Sequence, residues 1–595
     1  MSKQFIQRVS YISFLLVTVT LFGEVKAQDT TPTPTPTPTS TPIVQDKQNV
    51  PPEKLQGVPP IAPKYQSDDR SLPDLGRVGV DMTQQKPLTL RESIALALEN
   101  NKDIEVTRQD VKRAEFDLQA NNGFYEPKFT GQTYYERSTT PNVSIFSTNQ
   151  TTTNNSLVGT VGLQGYVKKF GTVLNGTYNN QSVTTNNTLS TLSPQYNSSL
   201  VFSATQPLFR GRKFDSQRRL IEIAKRNLSL TDTQFRQKSI EIISNVQRAY
   251  WDLTYSLRNL QVQRDSVRDA KDQLEHNKRL VNEGQLAPID IVAAETQVAN
   301  FELSVYDALN LVNVAENNLK NLIAQNKNDG IWTASLVPTD SVDLDAPRTT
   351  LPEAMEAALQ NRPELEINQV QKDLNELDQK FYREQAKPQI DLVASYTTAG
   401  IGGSLNSNFR SPFGGSVCAD PNSAACLASI AQQQAFLRYI GGGATTQSDL
   451  LINRYPTFRF GVQFNLPLFG NKTVKAQLGK SLVESEKIQT QREQIEQGIQ
   501  VDVRNALQTL RTAEARLRAA AISRENSVKQ YESEQRKLDA GQSDVYKVLE
   551  RQTALATARS NELRSQTELN KAIADLQRAT GNSLKANNVE ARLRK

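Results

Sequence analysis

Two hydrophobic periods take turns along the chain. Over 88–121 apolar residues recur at helical spacing, with Leu90, Ile94, Ala97 and Leu98 on one face. The same period predicts helices over 211–282 and 289–325, separated by a break at Gly284 to Pro288. A second set follows at 350–384, 470–539 and 544–580, with its break at Gly541. Inside the long helices the apolar spacing alternates between three and four. Ile243, Val246, Tyr250, Leu253, Leu257, Leu260, Val267, Ala270 and Leu274 form one such seam. Ile291, Ala294, Val298, Phe301, Val305, Ala308, Val312, Ala315, Leu319 and Leu322 form a second, and Ile499, Val503, Ala506, Leu510, Ala513, Leu517 and Ala520 a third. A sustained 3.5-residue period predicts left-handed coiled-coil packing through a narrow seam, with polar residues elsewhere.

Between the helices the period becomes two. Phe458, Phe460, Val462, Phe464 and Leu466 alternate with Thr457, Arg459, Gly461, Gln463 and Asn465. Ile390, Leu392, Ala394 and Tyr396 alternate in the same way, as do Leu200, Phe202 and Ala204, and more weakly Phe129, Gly131, Thr133 and Tyr135. Residues 157–181 hold a further hairpin-like pair around Phe170-Gly171. A half-buried soluble strand gives this period too. Strands of about ten residues with aromatic ends, in an exported chain, favour a wall with lipid outside and water inside. The polar stretches 138–156, 182–197 and 399–454 are expected at the outer surface. So few strands close no barrel of useful bore, so closure calls for several copies.

The chain contains one unit twice. Leu88-Thr-Leu-Arg-Glu-Ser-Ile-Ala-Leu-Ala-Leu-Glu-Asn-Asn101 parallels Thr349-Thr-Leu-Pro-Glu-Ala-Met-Glu-Ala-Ala-Leu-Gln-Asn-Arg362. Pro127 corresponds to Pro388, Gln206-Pro-Leu-Phe209 to Leu466-Pro-Leu-Phe469, and Glu283-Gly-Gln285 to Ala540-Gly-Gln542, at offsets of 257 to 261 residues. We therefore divide the chain into a first repeat at 87–325, a linker at 326–348, a second repeat at 349–580 and a tail at 581–595. In each repeat the two shorter helices together match the long one, which at about 72 residues spans about 108 Å. Two short helices stacked end to end beside one long helix suit the wall of a cylinder.

The N-terminus changes the compartment. Lys3 and Arg8 precede an apolar run from Tyr11 to Phe22 and a small-residue site ending at Ala27, which predicts a secretory signal at 1–27. The Thr-Pro run from Thr30 to Pro42 opens a Pro-rich, polar stretch, read as a disordered linker over 28–86. The apolar run at the N-terminus is too short for a bilayer-spanning helix, whereas a closed barrel needs none.

Composition narrows the chemistry. The chain has 595 residues, 37% of them hydrophobic, with one histidine (His276), two cysteines and three methionines. Metal clusters, His-based triads and cofactor sites have almost no residues to build on, so no enzyme, metal or cofactor is expected. The 69 basic and 63 acidic residues form no dense basic run, so nucleic acid is not an expected partner. Cys418 and Cys426 share one long exported loop, where a disulfide is favoured over free thiols.

The duplicated Leu-Thr-Leu-Arg-Glu-Ser opening, the Gln206-Pro-Leu-Phe-Arg-Gly211 and Leu466-Pro-Leu-Phe-Gly470 junctions, and the turns Glu283-Gly-Gln-Leu286 and Ala540-Gly-Gln-Ser543 resemble the TolC family of outer membrane efflux proteins. The resemblance covers about 88–580. It implies a mixed α and β membrane protein: a homotrimeric, twelve-stranded outer-membrane β-barrel continuous with a long periplasmic α-helical coiled-coil barrel. It implies the outer membrane of a Gram-negative-type (diderm) bacterium, in contact with outer-membrane lipid. It implies a passive duct of a tripartite efflux or type I secretion system, working with a periplasmic adaptor and an inner-membrane transporter of RND, ABC or MFS type. By the same resemblance Gly284, Gln285, Leu286, Gly541, Gln542 and Ser543 form the tip an adaptor grips, and Asp290, Lys547 and Glu550 line a periplasmic gate. Lys547 breaks an acidic ring there, and a contact between Asp290 and Lys547 is the expected closure. The alternative from the residues alone is a trimeric surface stalk or adhesin with no transport role, which the mid-unit strands of both repeats disfavour.

Overall fold

The structure, a computed structural model, describes residues 76–143, 149–409, 437–467 and 470–589, with Ala424. The signal segment, most of the Thr-Pro stretch, and Cys418 and Cys426 with their expected disulfide lie outside the described residues. The first repeat runs β1 (Asp81–Leu88), α1 (Leu90–Asn100), α2 (Lys102–Asn122), β2 (Lys128–Pro141), β3 (Thr151–Val167), β4 (Thr172–Thr185), β5 (Leu192–Pro207), α3 (Ser216–Asn282) and α4 (Ile289–Ile323). After β6 (Ala334–Pro338), the second runs α5 (Leu351–Asn361), α6 (Pro363–Gln385), β7 (Gln389–Leu405), α7 (Gly442–Leu451), β8 (Tyr455–Asn465), α8 (Lys472–Asp539) and α9 (Val545–Ala579), with α10 (Ser583–Ala586) behind it.

Each opening helix is two helices rather than one. Asn101 takes extended backbone and caps α2, its Oδ1 accepting from the N–H of Asp103 at 2.9 Å. Its Nδ2 donates to the carbonyl of Leu322, and Asn100 donates to that of Ile323. The break therefore closes the open end of α4, whose last carbonyls have no helical partner. In the second repeat Pro363 forces the break, because the residue before a proline is pushed out of the helical region, and Arg362 is extended. Both openings begin with a capping box, Thr89 with Glu92 and Thr350 with Glu353.

The stacking expected from the lengths is present. α1 and α2 (11 and 21 residues) with α4 (35) lie along α3 (67). α5, α6 and α9 (11, 23 and 35) lie along α8 (68). α3 also packs against α6 and α9, so each chain is a row of four columns: α2 over α4, α3, α6 over α9, and α8. The seams are buried as patterned. Ile243, Val246, Tyr250 and Leu253 are closed to solvent in the first repeat, and Ile499, Val503, Ala506 and Leu510 in the second. Between the repeats the contact is polar as well. Arg219 pairs with Asp378 at 2.7 Å, Arg226 with Asp373 at 3.0 Å and Lys571 with Asp252 at 2.8 Å.

The stretch read as disordered linker ends in structure. β1 pairs in parallel with β6, which lies in the expected inter-repeat linker. Ahead of it, the Arg77 guanidinium meets the Glu316 carboxylate at 2.8 Å, and Lys320 lies 3.6 Å from the same carboxylate. All three side chains are buried. Composition gave no sign of this anchor, because its partners are distant in sequence.

The second layer is one antiparallel sheet in the order β2-β3-β4-β5-β7-β8. A chain thus contributes six strands, where a twelve-stranded trimer needs four. The strands also reach into stretches read as outer loops: Thr139 pairs with Thr153 and Thr184 with Asn155. Thr and Asn side chains hid these strand ends, but ladder pairing is a backbone property. Register puts the apolar residues on one face. Phe129, Leu163, Gly176, Phe202, Tyr396 and Phe458 form a continuous cross-strand row. The row behind them, Thr130, Gly162, Thr177, Val201, Thr397 and Thr457, is mostly polar. Near the helices the apolar face is open, with Phe458 77% exposed and Phe129 73%, while α7 covers its far part over Thr398 and Gly400.

Candidate functional site

The end of the helices farthest from the sheet is built by two turns with one geometry. After α3, Gly284 takes φ +77° and its N–H reaches the Val281 carbonyl, while the Gln285 N–H reaches that of Leu280 at 2.9 Å. After α8, Gly541 takes φ +69°, with Gly541 bonded to Leu538 and Gln542 to Lys537 at 2.8 Å. This is the Schellman closure, whose left-handed residue favours glycine. The Gly-Gln pair legible in both halves is therefore the physical stop of each long helix.

The restarts differ. α4 follows Pro288, which offers no side-chain cap, and the Asp290 Oδ2 accepts the Ala287 N–H at 3.1 Å. α9 is capped by Asp544, which accepts the Lys547 N–H at 2.9 Å and pairs with its ammonium at 3.1 Å. Those bonds, the backbone one first, hold the Asp544 carboxyl below its usual range. The expected Asp290–Lys547 contact is accordingly not what holds these residues within one chain, since each serves its own turn. Ser543 donates to Glu534, which also pairs with Lys537, and the Ser543 bond leads in lowering the Glu534 carboxyl. Gln285, Gln542 and Glu550 are exposed, and Asp290 is half-buried.

The turns are not independent. Leu286 of the first packs on an apolar cluster of the second: Leu538, Val545, Val548 and Leu549. Nearby, His276 of α3 contacts Asp539 of α8 at 2.9 Å. Sequence reading placed Leu286 among the tip residues an adaptor grips and gave His276 no role. Both bridge the repeats, and neither bridge has a local signature. Among the described residues no group of His, Cys, Asp and Glu could hold a metal ion, and no helix is long and apolar enough to cross a membrane.

The edges of the molecule complete the site. β2 and β8 are the open edges of the sheet, α2 leads into β2 and β8 leads into α8. The outermost helical columns therefore continue from the outermost strands, on matching sides. A spanning strand edge left open would expose unpaired N–H and C=O groups to hydrocarbon, at several kcal/mol each.

The comparisons with known proteins agree with this geometry. The model of the outer membrane efflux protein family matches residues 93–325 and 354–582. The chain belongs to the outer membrane efflux protein family, and the two matches are its two repeats. No curated protein matched the chain by sequence. Among solved structures it is similar to CusC, with 16% identity over 86% of this chain and 99% of that one, TM-score 0.57. It is similar to the CmeC outer membrane channel of Campylobacter jejuni (15%, 84% and 90%, TM-score 0.57). The open state of the Neisseria gonorrhoeae MtrE outer membrane channel also matches (16%, 83% and 89%, TM-score 0.52). The protein is an outer membrane efflux protein, and the family is one of transport proteins rather than enzymes.

Proposed function

We propose that three copies join edge to edge, β8 of one against β2 of the next and α8 against α2 and α4, to make one passive duct. Each chain supplies four helical columns, so three supply a twelve-column tunnel. The duct carries substrates from a periplasmic pump to the exterior, in a tripartite efflux or type I secretion assembly. An inner-membrane transporter of RND, ABC or MFS type drives transport. A periplasmic adaptor grips the turns at Gly284–Leu286 and Gly541–Ser543. Asp290, Lys547 and Glu550 lie where copies of the tip converge and line the gate. The observation that carries this reading is the matched pair of open edges, which a copy of the same chain satisfies on both layers at once. Native mass spectrometry of the full exported chain in detergent tests it: a three-copy mass supports the duct, and a stable monomer contradicts it.

A further inference from the structure

The structure assigns to the assembled barrel eighteen strands rather than twelve, and so an exit about as wide as the tunnel that feeds it. This rests on the three-copy reading above. Each chain brings a six-stranded sheet. The extra hairpin is β3–β4, inserted in the first repeat between the counterparts of β7 and β8.

Three observations make the hairpin part of the wall. First, β3 and β4 lie between β2 and β5, paired over their length on both sides. Leaving them out would require β2 to pair with β5 instead. Second, they continue both faces. Leu163 and Leu174 stand open on the apolar side, while Thr160 and Thr177 fall on the opposite one. Phe202 lies across Gly176, where an added Cβ would meet its ring at 3.5 Å. Third, the hairpin is fastened at the helix end. Gln206 donates to the Phe170 carbonyl at 3.1 Å in its turn, and Tyr166 stacks on Phe124 at 4.8 Å. Its connection there is only four residues long, while the opposite loops are longer, as in spanning barrels.

Circumference favours the larger number. Twelve helical columns at 8–10 Å spacing form a ring of about 95–120 Å. Strands about 4.8 Å apart and tilted about 45° give about 120 Å for eighteen but about 80 Å for twelve. Eighteen strands meet the helical ring without a narrowing, and barrels of 16–18 strands hold an aqueous channel. The membrane section then sieves nothing that has already passed the helical tunnel, and size selection falls to the periplasmic end.

The test uses the full chain with Cys418 and Cys426 replaced by Ser, and single cysteines at Leu163, Leu174, Thr160 and Thr177. In intact outer membranes, a membrane-impermeant maleimide should label Thr160→Cys and Thr177→Cys, and spare Leu163→Cys and Leu174→Cys until detergent is added. Comparable labelling of all four would put the hairpin outside the wall and overturn the inference. Electron cryomicroscopy of the purified protein separates the two levels. Three chains with eighteen strands support it, and three chains with twelve overturn it while leaving the duct intact. A chain number other than three overturns both.

Discussion

Arg77 and Glu316 form a buried ion pair at 2.8 Å across 239 residues of sequence, with Lys320 on the same carboxylate. The carboxylate also accepts the Leu336 N–H at 2.7 Å, so it fixes the N-terminal segment and β6 on α4 together. Burial depresses the Lys320 ammonium, although Glu316 opposes the shift. Removing the shared anion leaves two buried cations. Glu316→Gln should destabilise the protein by ~3–5 kcal/mol, whereas Lys320→Met, which leaves a neutral Arg–Glu pair and releases the Trp332 carbonyl, should cost only ~1–2 kcal/mol. Denaturant midpoints of the two variants check this, and equal losses would contradict it.

The apolar face of the sheet predicts a sided response to charge. Phe202→Arg places a cation on the row that runs from Phe129 to Phe458, and should cost ~2–4 kcal/mol in lipid vesicles if that depth is near the midplane. Thr177→Arg, on the opposite face, should cost little. Urea unfolding in vesicles compares them, and similar costs would contradict lipid outside and water inside.

At the tip, acid should loosen the start of α9. The lowered Asp544 carboxyl contributes stability that is present above the ordinary carboxylate value of about 4 and lost as pH falls through its depressed folded value. Glu534 faces the same turn from α8, so the comparison belongs in a Glu534→Gln background. There, hydrogen exchange at Val545 to Leu549 should accelerate on acidification. Asp544→Ala should lower protection by ~1 kcal/mol at neutral pH and remove the acid dependence. An unchanged acid dependence in Asp544→Ala would contradict the cap assignment.

Leu286 gives the turns a shared apolar contact. Leu286→Asp puts a carboxylate among Leu538, Val545 and Val548 and should part the turns while leaving the sheet and upper helices folded. Cells carrying it should admit a large dye that the unaltered channel excludes. Unchanged exclusion would show that this contact does not hold the tip.

The sequence was most readable where one physical rule acts locally. Helical seams such as Ile243-Val246-Tyr250, the Gly-Gln helix stops and the Phe458-to-Leu466 alternation each follow from a period or a φ requirement. It was least readable where partners come together from a distance. Arg77 looked like part of a polar spacer, because the Glu316 and Ser335 that hold its guanidinium lie far away in sequence. The break at Asn101 was hidden because the free carbonyls of α4 that its amide group satisfies are distant in sequence. The β3–β4 strands were underestimated because Asn, Thr and Gly weaken the alternation that the register restores.

Planar-bilayer recording of the purified protein tests the central claim most directly. The account predicts discrete conductance steps from a mostly closed channel, larger and longer-lived in Leu286→Asp. A correctly assembled protein that inserts and yet never conducts, in either form, would contradict a conduit.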